Sequence, residues 1–236
     1  MCSSPGTRGS EDSVSIGIEY IHYGHEARQS FIVPISMKRE NTVSTVGRPR
    51  AFDPKKALHR AMLVFWRKGY LGASLSDLTN AMGINRPSLY AAFGNKDSLF
   101  RKALDRYAKG PSSYLTEALR EPTARAVVEH LLHGVVDLVT DPQTPTTCMW
   151  VHGALSHGDG PLRAEFAAQR AAGLAELRAR FKRAVADGDL SRDADTDALA
   201  RYVQTVNFGL TVQASTGATR RELLRVVDVV LKKWPN

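Results

Sequence analysis

The amino-acid sequence predicts an all-α fold in which a small helix-turn-helix domain precedes a larger helical domain. First, from residue 53 onward, apolar residues recur every three to four positions, which is the spacing of one face of an α-helix. Second, the stretch from Ala73 to Phe100 has the pattern of a short helix, a tight turn, a second short helix and the start of a third. Third, the chain after Pro111 is rich in Ala, Leu and Val, is interrupted by prolines and shows no alternation typical of strands. We expect a disordered N-terminal extension at 1–46, a first domain at 47–110 and a second at 111–236.

The first helix is predicted to begin after Asp53, a good N-cap, with Pro54 in its first turn. Gly69 is expected to end it, because glycine is a poor helix former. Between these points lies a stripe of apolar residues, which is interpreted as core: Leu58, Ala61, Met62, Phe65 and Trp66.

The next helix is predicted to start at Ser74, with Asp77 in the capping-box position, and to end at Gly83. Asn85 then caps a second short helix that runs from Arg86 to about Phe93. Two of its apolar residues, four apart, are expected to face inward, namely Leu89 and Phe93. This leaves four side chains of the helix to face outward, namely Arg86, Ser88, Tyr90 and Ala91, while Pro87 lies in its first turn. Asn95 then caps a further helix, and Lys96 lies in the first turn of that helix.

The segment LSDLTNAMGINRPSLYAAFGNKDSLF resembles the DNA-binding domain of the TetR/AcrR family of bacterial repressors. The resemblance covers about fifty residues and is carried by Gly83, Tyr90, Phe93 and Lys96. It implies that Ser74, Tyr90 and Lys96 hold backbone phosphates and that the second short helix reads the major groove. Two positions depart from the family pattern: Ala92, where a histidine is common, and Arg86, where a small residue or proline is usual. The candidate DNA contacts are Arg48, Arg50, Ser74, Arg86, Pro87, Ser88, Tyr90, Ala91 and Lys96.

The distribution of charge supports a polyanionic partner for the first domain, with double-stranded DNA as the expected one. Residues 47–110 hold 13 basic and 4 acidic side chains, whereas residues 111–236 hold 15 of each. A general DNA-packaging protein, which is one alternative, would carry its positive charge over its whole surface. An enzyme is a second alternative, but the sequence has no nucleophile elbow, phosphate-cradling glycine loop or paired-carboxylate motif. We therefore interpret the protein as a ligand-released repressor that binds a palindromic operator, and not as an enzyme.

The second domain is predicted to contain helices at roughly 122–140, 148–157, 161–187, 195–216 and 219–234, with a loop at 141–147. The last two helices are amphipathic at the chain end, which is typical of a four-helix interface in a homodimer. The same resemblance places the dimer contact there. The candidate interface residues are Leu199, Tyr202, Val206, Leu210, Leu223, Val227, Val230 and Trp234.

By the same resemblance, the remaining helices of the second domain enclose a pocket for a small-molecule inducer. Its candidate lining residues are Cys148, Trp150, His152, Phe166, Gln169, Asn207, Phe208 and Gln213. For any single one of these residues, ordinary core packing is the better interpretation.

The histidines and cysteines leave two alternatives open. A metal site built from His130, His133, His152 and His157 is disfavoured because no carboxylate or cysteine completes a recognised ligand spacing, and no cofactor is expected. Cys148 is either a buried packing residue or a sensor of oxidants and electrophiles, and the absence of a nearby basic residue in the sequence favours packing.

The overall composition predicts a cytoplasmic protein. Two cysteines do not make a disulfide framework, and no apolar run is long enough to cross a membrane. Because the sequence from Met37 onward resembles the usual start of this family, we expect that residues 1–36 are a mis-assigned extension of the reading frame.

Overall fold

The computed structural model describes residues 52–156 and 161–235, and these residues form helices without any strand. In chain order the helices are α1 Pro54–Gly72, α2 Leu75–Met82, α3 Arg86–Phe93, α4 Lys96–Ala108, α5 Tyr114–Ala118, α6 Ala124–Thr140, α7 Met149–Ser156, α8 Pro161–Ala186, α9 Thr196–Ser215 and α10 Arg220–Lys232. None of the described helices is long and apolar enough to span a membrane.

Helix α1 is the support on which the helix-turn-helix rests. The Asp53 side chain accepts a hydrogen bond from the amide of Lys55 at 2.8 Å, and Pro54 occupies the first turn, as predicted. The predicted stripe of α1 is buried except for Leu58, which is half-buried and packs against the core. Gly69 breaks the regular helix with a φ of 67°, and one further turn follows it. Gly69 was predicted to end α1, but in the structure it kinks the helix, which continues to Gly72.

The turn between α2 and α3 has the predicted chemistry. Gly83 adopts the left-handed conformation, with φ 69° and ψ 34°, and its amide donates to the carbonyl of Asn80. The side chain of Asn85 then accepts from the amide of Ser88 at 2.9 Å and starts α3. This turn fixes the angle at which α3 leaves α2.

The second domain is organised around α6. This helix buries an almost continuous apolar face and packs against α5, α9 and α10, while α8 packs against α9. Trp234, just after α10, lies against Phe181 of α8 with ring centroids 5.4 Å apart. The predicted helices of this domain are confirmed to within a few residues at each end, and only the five-residue α5 was not anticipated.

The two halves of the described chain share one continuous apolar core, which crosses the expected boundary at residue 110. Helix α1 packs against α7. The indole nitrogen of Trp66 donates to the carbonyl of Thr147 at 2.6 Å, just before α7 begins. A Cβ atom added at Gly69 would lie 3.3 Å from the ring of His152 in α7. The first and second domains are therefore in direct contact at α1. The assignment of 1–46 as a disordered extension falls outside the described residues.

Candidate DNA-binding surface and regulatory core

Helix α3 presents one face to the core and one to the outside. Leu89 and Phe93 are buried, which holds the helix against the rest of the domain. Tyr90 lies on the opposite face and is 48% exposed despite its aromatic ring. Three of the other candidate contacts on this helix are also exposed, namely Arg86, Pro87 and Ala91. Ser88 is half-buried. An exposed aromatic ring beside a cationic side chain is suited to contacting a nucleic acid.

Arg86 is held in place by the preceding helix. Its guanidinium donates a hydrogen bond to Oγ of Ser76 in α2, with a distance of 3.2 Å. Since Arg86 is the first residue of α3, this bond fixes a positive charge at the N-terminal end of the candidate reading helix. In helix-turn-helix proteins that end contacts base edges.

Ser74 caps α2 through a complete capping box. Its Oγ accepts from the amide of Asp77 at 3.0 Å, and the Asp77 carboxylate accepts from the amide of Ser74 at 3.0 Å. Lys68 of α1 reaches the same carboxylate at 2.6 Å. Together the hydrogen bond from Lys68 and those from Ser74 lower the pKa of Asp77 to about 2. Ser74 is thus a structural cap that is also exposed on the candidate surface.

Lys96 opens α4 and is half-buried. Its ammonium nitrogen lies 4.4 Å from the ring centroid of Tyr70, in the extra turn after the Gly69 kink. Burial lowers the pKa of Lys96, and the neighbouring Asp97 opposes that shift. The Tyr70 hydroxyl donates to the Asp97 carboxylate, and burial together with this bond raises the pKa of Tyr70 to about 12. The remaining candidates, Arg48 and Arg50, lie outside the described residues.

Five of the eight candidate pocket residues lie on α7, on α8 or just before α7, and four of these are considered first. Cys148 is buried, and its sulfur accepts a hydrogen bond from the hydroxyl of Tyr107 at 3.3 Å. Burial raises the pKa of the Cys148 thiol, and the bond from Tyr107 opposes that shift. Trp150 joins the rings of Tyr107 and Phe166, each at a centroid distance of 6.2 Å. His152, also on α7, packs against Gly69 of α1. Tyr107 thus connects Cys148 with Trp150, and Trp150 extends these contacts to Phe166.

Two of the predicted pocket residues do not face the interior. Gln169 of α8 and Gln213 of α9 are exposed. Their positions on the outer side of amphipathic helices explain this, because their buried neighbours occupy the inner side. Asn207 and Phe208 of α9 are half-buried, and Phe208 packs against the core.

Several buried polar atoms in this domain have no hydrogen-bond partner among the described residues, and three of them bear on the pocket. They are the hydroxyl of Tyr114, Nδ1 of His152 and Oδ1 of Asn207. Two open grooves of about 810 and 780 Å³ lie elsewhere on the surface and are lined by none of the eight predicted pocket residues.

The histidines do not assemble a metal site in the part of the chain that the structure describes. Nδ1 of His130 lies 2.8 Å from a carboxylate oxygen of Glu121, so this ring nitrogen already has a hydrogen-bond partner. Among the described residues, no group of three His, Cys, Asp or Glu side chains has an arrangement that fits a metal ion. His157 lies outside those residues.

The predicted dimer contacts divide into two sets. Leu199 and Val206 are half-buried and Tyr202 is exposed, all on α9. The other five are buried within a single chain, which leaves them little surface for contact with a second one: Leu210, Leu223, Val227, Val230 and Trp234. The apolar side chains that these two helices do expose are Tyr202, Val212, Val226 and Val229. Most of the candidate residues chosen from the sequence therefore lie on the inward faces of α9 and α10.

Three residues that organise the site were not identified from sequence. Tyr70 supports Lys96, Tyr107 binds Cys148, and the carbonyl of Thr147 binds Trp66. Only Tyr70 carried a usable signal, since an aromatic residue directly after the helix-breaking Gly69 has to pack beside the kink. The other two depend on contacts between residues 41 and 81 positions apart.

Comparisons with known proteins agree with this architecture. The family model described as "Bacterial regulatory proteins, tetR family" matches residues 57–103. The chain is 30% identical over 196 residues to the HTH-type transcriptional repressor ComR of Escherichia coli K12, covering 80% of this chain and 92% of ComR. It is 33% identical over 190 residues to the HTH-type transcriptional regulator YezE of Bacillus subtilis 168, covering 79% of this chain and 98% of YezE.

A solved structure shares both sequence and fold with the chain. It contains a cysteine mutant of the TetR family transcriptional regulator CifR complexed with 26 bp operator DNA. The two chains are 45% identical, with a TM-score of 0.75, over 80% of this chain and 100% of CifR. Taken with the helix-turn-helix geometry, these relationships show that the chain belongs to the TetR family of bacterial regulatory proteins, which are DNA-binding transcriptional regulators and not enzymes.

Proposed function

We propose that the protein is a cytoplasmic repressor that binds a palindromic operator as a homodimer and is released by a small molecule. The observation that carries this proposal is the outer face of α3, where Tyr90 and Arg86 are exposed while Leu89 and Phe93 fix the helix from behind. ComR, a relative over nearly its whole length, is a transcriptional repressor, and CifR was solved on operator DNA. Both relationships support the same role here.

The DNA contacts are proposed in two groups. Ser74, Tyr90 and Lys96 would hold backbone phosphates, together with Arg48 and Arg50, which precede α1 in the sequence. The N-terminal half of α3 would meet base edges, with Arg86 as the side chain able to read a guanine. The flanking residues Pro87, Ser88 and Ala91 would shape the contact with the groove.

The homodimer is proposed to form through the outer faces of α9 and α10. Tyr202, Val212, Val226 and Val229 are exposed there, with Leu199 and Val206 half-buried beside them. Exposed apolar side chains on two neighbouring helices favour a protein contact there. Two-fold symmetry would place two α3 helices in successive major grooves, which is the geometric reason for a palindromic operator.

The inducer is proposed to bind in the second domain, at the side of the core formed by Cys148, Trp150, His152 and Phe166. The rings of Trp150 and Phe166 supply an apolar wall, and Nδ1 of His152, on the same helix as Trp150, is buried without a hydrogen-bond partner among the described residues. Asn207 and Phe208 of α9 are candidates to complete the pocket. Because α7 also packs against α1, a ligand here would act on the element that carries the helix-turn-helix.

DNA binding tests the proposal directly. Fluorescence anisotropy with duplexes from upstream of the protein's own gene should show one tight palindromic site and weak binding to an unrelated duplex of equal length. Affinity should fall about a thousandfold or more between about 50 and 200 mM salt, because several phosphates per subunit are neutralised. Equal affinity for both duplexes, or binding that does not depend on salt, would contradict the proposed function.

A further inference from the structure

Tyr70 lies where the end of α1 meets the first turn of α4. Its ring is 5.1 Å from the ring of Phe100 and 6.5 Å from that of Phe65, measured between centroids. The same ring carries the ammonium of Lys96 at 4.4 Å, and its hydroxyl donates to Asp97. One side chain therefore contacts both of the first two residues of α4.

Lys96 occupies a place that is unfavourable for a cation. It is the first residue of α4, at the positive end of the helix dipole, and it is half-buried. A long flexible lysine in such a place gains by moving its ammonium out to water. The electron-rich face of Tyr70 opposes this movement, because it attracts the ammonium to a defined position over the ring.

The orientation of that ring is itself fixed. Gly69 forces the chain to turn just before Tyr70, and Phe65 and Phe100 hold the phenol between α1 and α4. At the outer edge of the ring the hydroxyl is bonded to Asp97. The face that meets Lys96 is thus set by packing on one edge and by a hydrogen bond on the other.

We propose that Tyr70 is a positioning residue for the phosphate contact made by Lys96. It does not touch DNA but holds the Lys96 ammonium where the DNA backbone will meet it. The Lys96 side chain is then already ordered in the free protein, so less conformational entropy is lost when DNA binds. This inference rests on the proposed function, in which Lys96 binds a backbone phosphate.

A double-mutant cycle separates this role from a packing role. The variants are Tyr70→Leu, Lys96→Ala and the double variant, assayed with the duplex from upstream of the gene and with an unrelated duplex of equal length. Tyr70→Leu alone should weaken binding to both duplexes about five- to tenfold and reduce the salt slope by about one per subunit, as Lys96→Ala does. In the Lys96→Ala background, Tyr70→Leu should have no further effect, because it acts through Lys96.

A second comparison keeps the shape of the ring and changes only its charge distribution. Tyr70→Phe keeps the aromatic face and should bind within about threefold of the unchanged protein. Replacing that phenylalanine with pentafluorophenylalanine makes the ring face electron-poor and should reproduce the loss seen with Tyr70→Leu. This pair decides the question even if Tyr70→Leu fails to fold, because both proteins keep a planar six-membered ring at this position and the fluorinated ring is only moderately larger.

The outcomes distinguish the two proposals. If Lys96→Ala changes neither the affinity nor the salt slope, the phosphate contact is wrong and the inference falls with it. If Lys96→Ala weakens binding but the losses from Tyr70→Leu and Lys96→Ala add, the phosphate contact stands and the positioning role is wrong. Equal binding by the phenylalanine and pentafluorophenylalanine proteins would likewise overturn the positioning role alone.

Discussion

At the scale of single residues, Arg86 is the side chain best placed to determine which operator is preferred. Its guanidinium is exposed at the start of α3 and is held by Ser76 at 3.2 Å. Arg86→Ala should cost about 1 to 3 kcal/mol at one base position and leave binding to unrelated DNA almost unchanged. Ser76→Ala is the matched variant, because it keeps the positive charge of Arg86 but removes the hydrogen bond that positions it. It should weaken the preference for one base at the same operator position. Binding to operators substituted at each base pair measures both, and a uniform loss would show Arg86 to be a phosphate contact.

Cys148 is expected to be a packing residue and not the switch. Its thiol is buried, and burial raises its pKa, which disfavours the reactive thiolate even though the hydrogen bond from Tyr107 partly opposes that shift. Cys148→Ser should cost about 1 to 2 kcal/mol in the free energy of unfolding by urea. Release of DNA by the inducer should be retained. A variant that binds operator normally but no longer responds to oxidants would instead identify Cys148 as a sensor.

At the scale of helices, the kink in α1 is a structural requirement. Gly69 has φ 67° and ψ 177°, a backbone conformation that L side chains rarely adopt, and His152 closes the space beside it. Gly69→Ala should lower the free energy of unfolding by about 1 to 3 kcal/mol. The control is Gly173→Ala in α8, where no atom lies within 4 Å of the added Cβ. That change should raise stability by about 0.5 to 1 kcal/mol, so similar effects of the two substitutions would contradict this account.

The cap of α2 has a predictable dependence on pH. In the folded protein, the pKa of Asp77 is about 2 because of Lys68 and Ser74, whereas an unfolded aspartate titrates near 4. The depressed value means that the cap stabilises the protein above about pH 4 and that this contribution is lost as pH falls toward 2. Asp77→Asn should therefore be less stable than the unchanged protein at pH 6, and the difference should shrink at pH 3. Urea unfolding at both pH values measures the difference; a constant gap would rule out this titration.

Local signals explain what the sequence predicted at this scale. N-caps, glycine stops and apolar spacing depend on residues within four positions, so the helices from α1 to α4 were predicted closely, including the left-handed Gly83. Which face of α9 or α10 is buried within the subunit depends on the neighbouring helices, and their apolar residues extend around more than one face. The sequence therefore did not show that Val227 is buried while Val229 is exposed.

The candidate DNA contacts depend on local sequence, whereas the candidate ligand-binding residues depend on contacts between distant helices. Tyr90 and Arg86 follow from the register of one short helix, and the structure leaves both exposed. The contact between Tyr107 and Cys148, or between His152 and Gly69, joins helices that are distant in sequence. Such contacts arise only when α4, α7 and α1 pack together, and no local pattern encodes them.

At the scale of the whole molecule, the exposed apolar surface of α9 and α10 determines the proposed assembly. Val229 is 61% exposed within one subunit, so a charged residue there should leave the fold of that subunit intact. In a two-fold contact each change occurs twice, which brings two like charges into an apolar interface. Val229→Glu should thus shift the protein from dimer to monomer in equilibrium sedimentation at micromolar concentration.

The matched control is Leu71→Glu on α1, a change of the same kind at a side chain that is 63% exposed and lies outside α9 and α10. It should leave the sedimenting mass unchanged. The Val229→Glu monomer should keep its helical circular dichroism but bind the palindromic duplex at least about a hundredfold more weakly, because a single α3 reads one half-site. If Val229→Glu leaves the sedimenting mass unchanged, the dimer interface lies on another surface. A monomer that still binds the palindrome tightly would remove the need for a dimer in operator recognition.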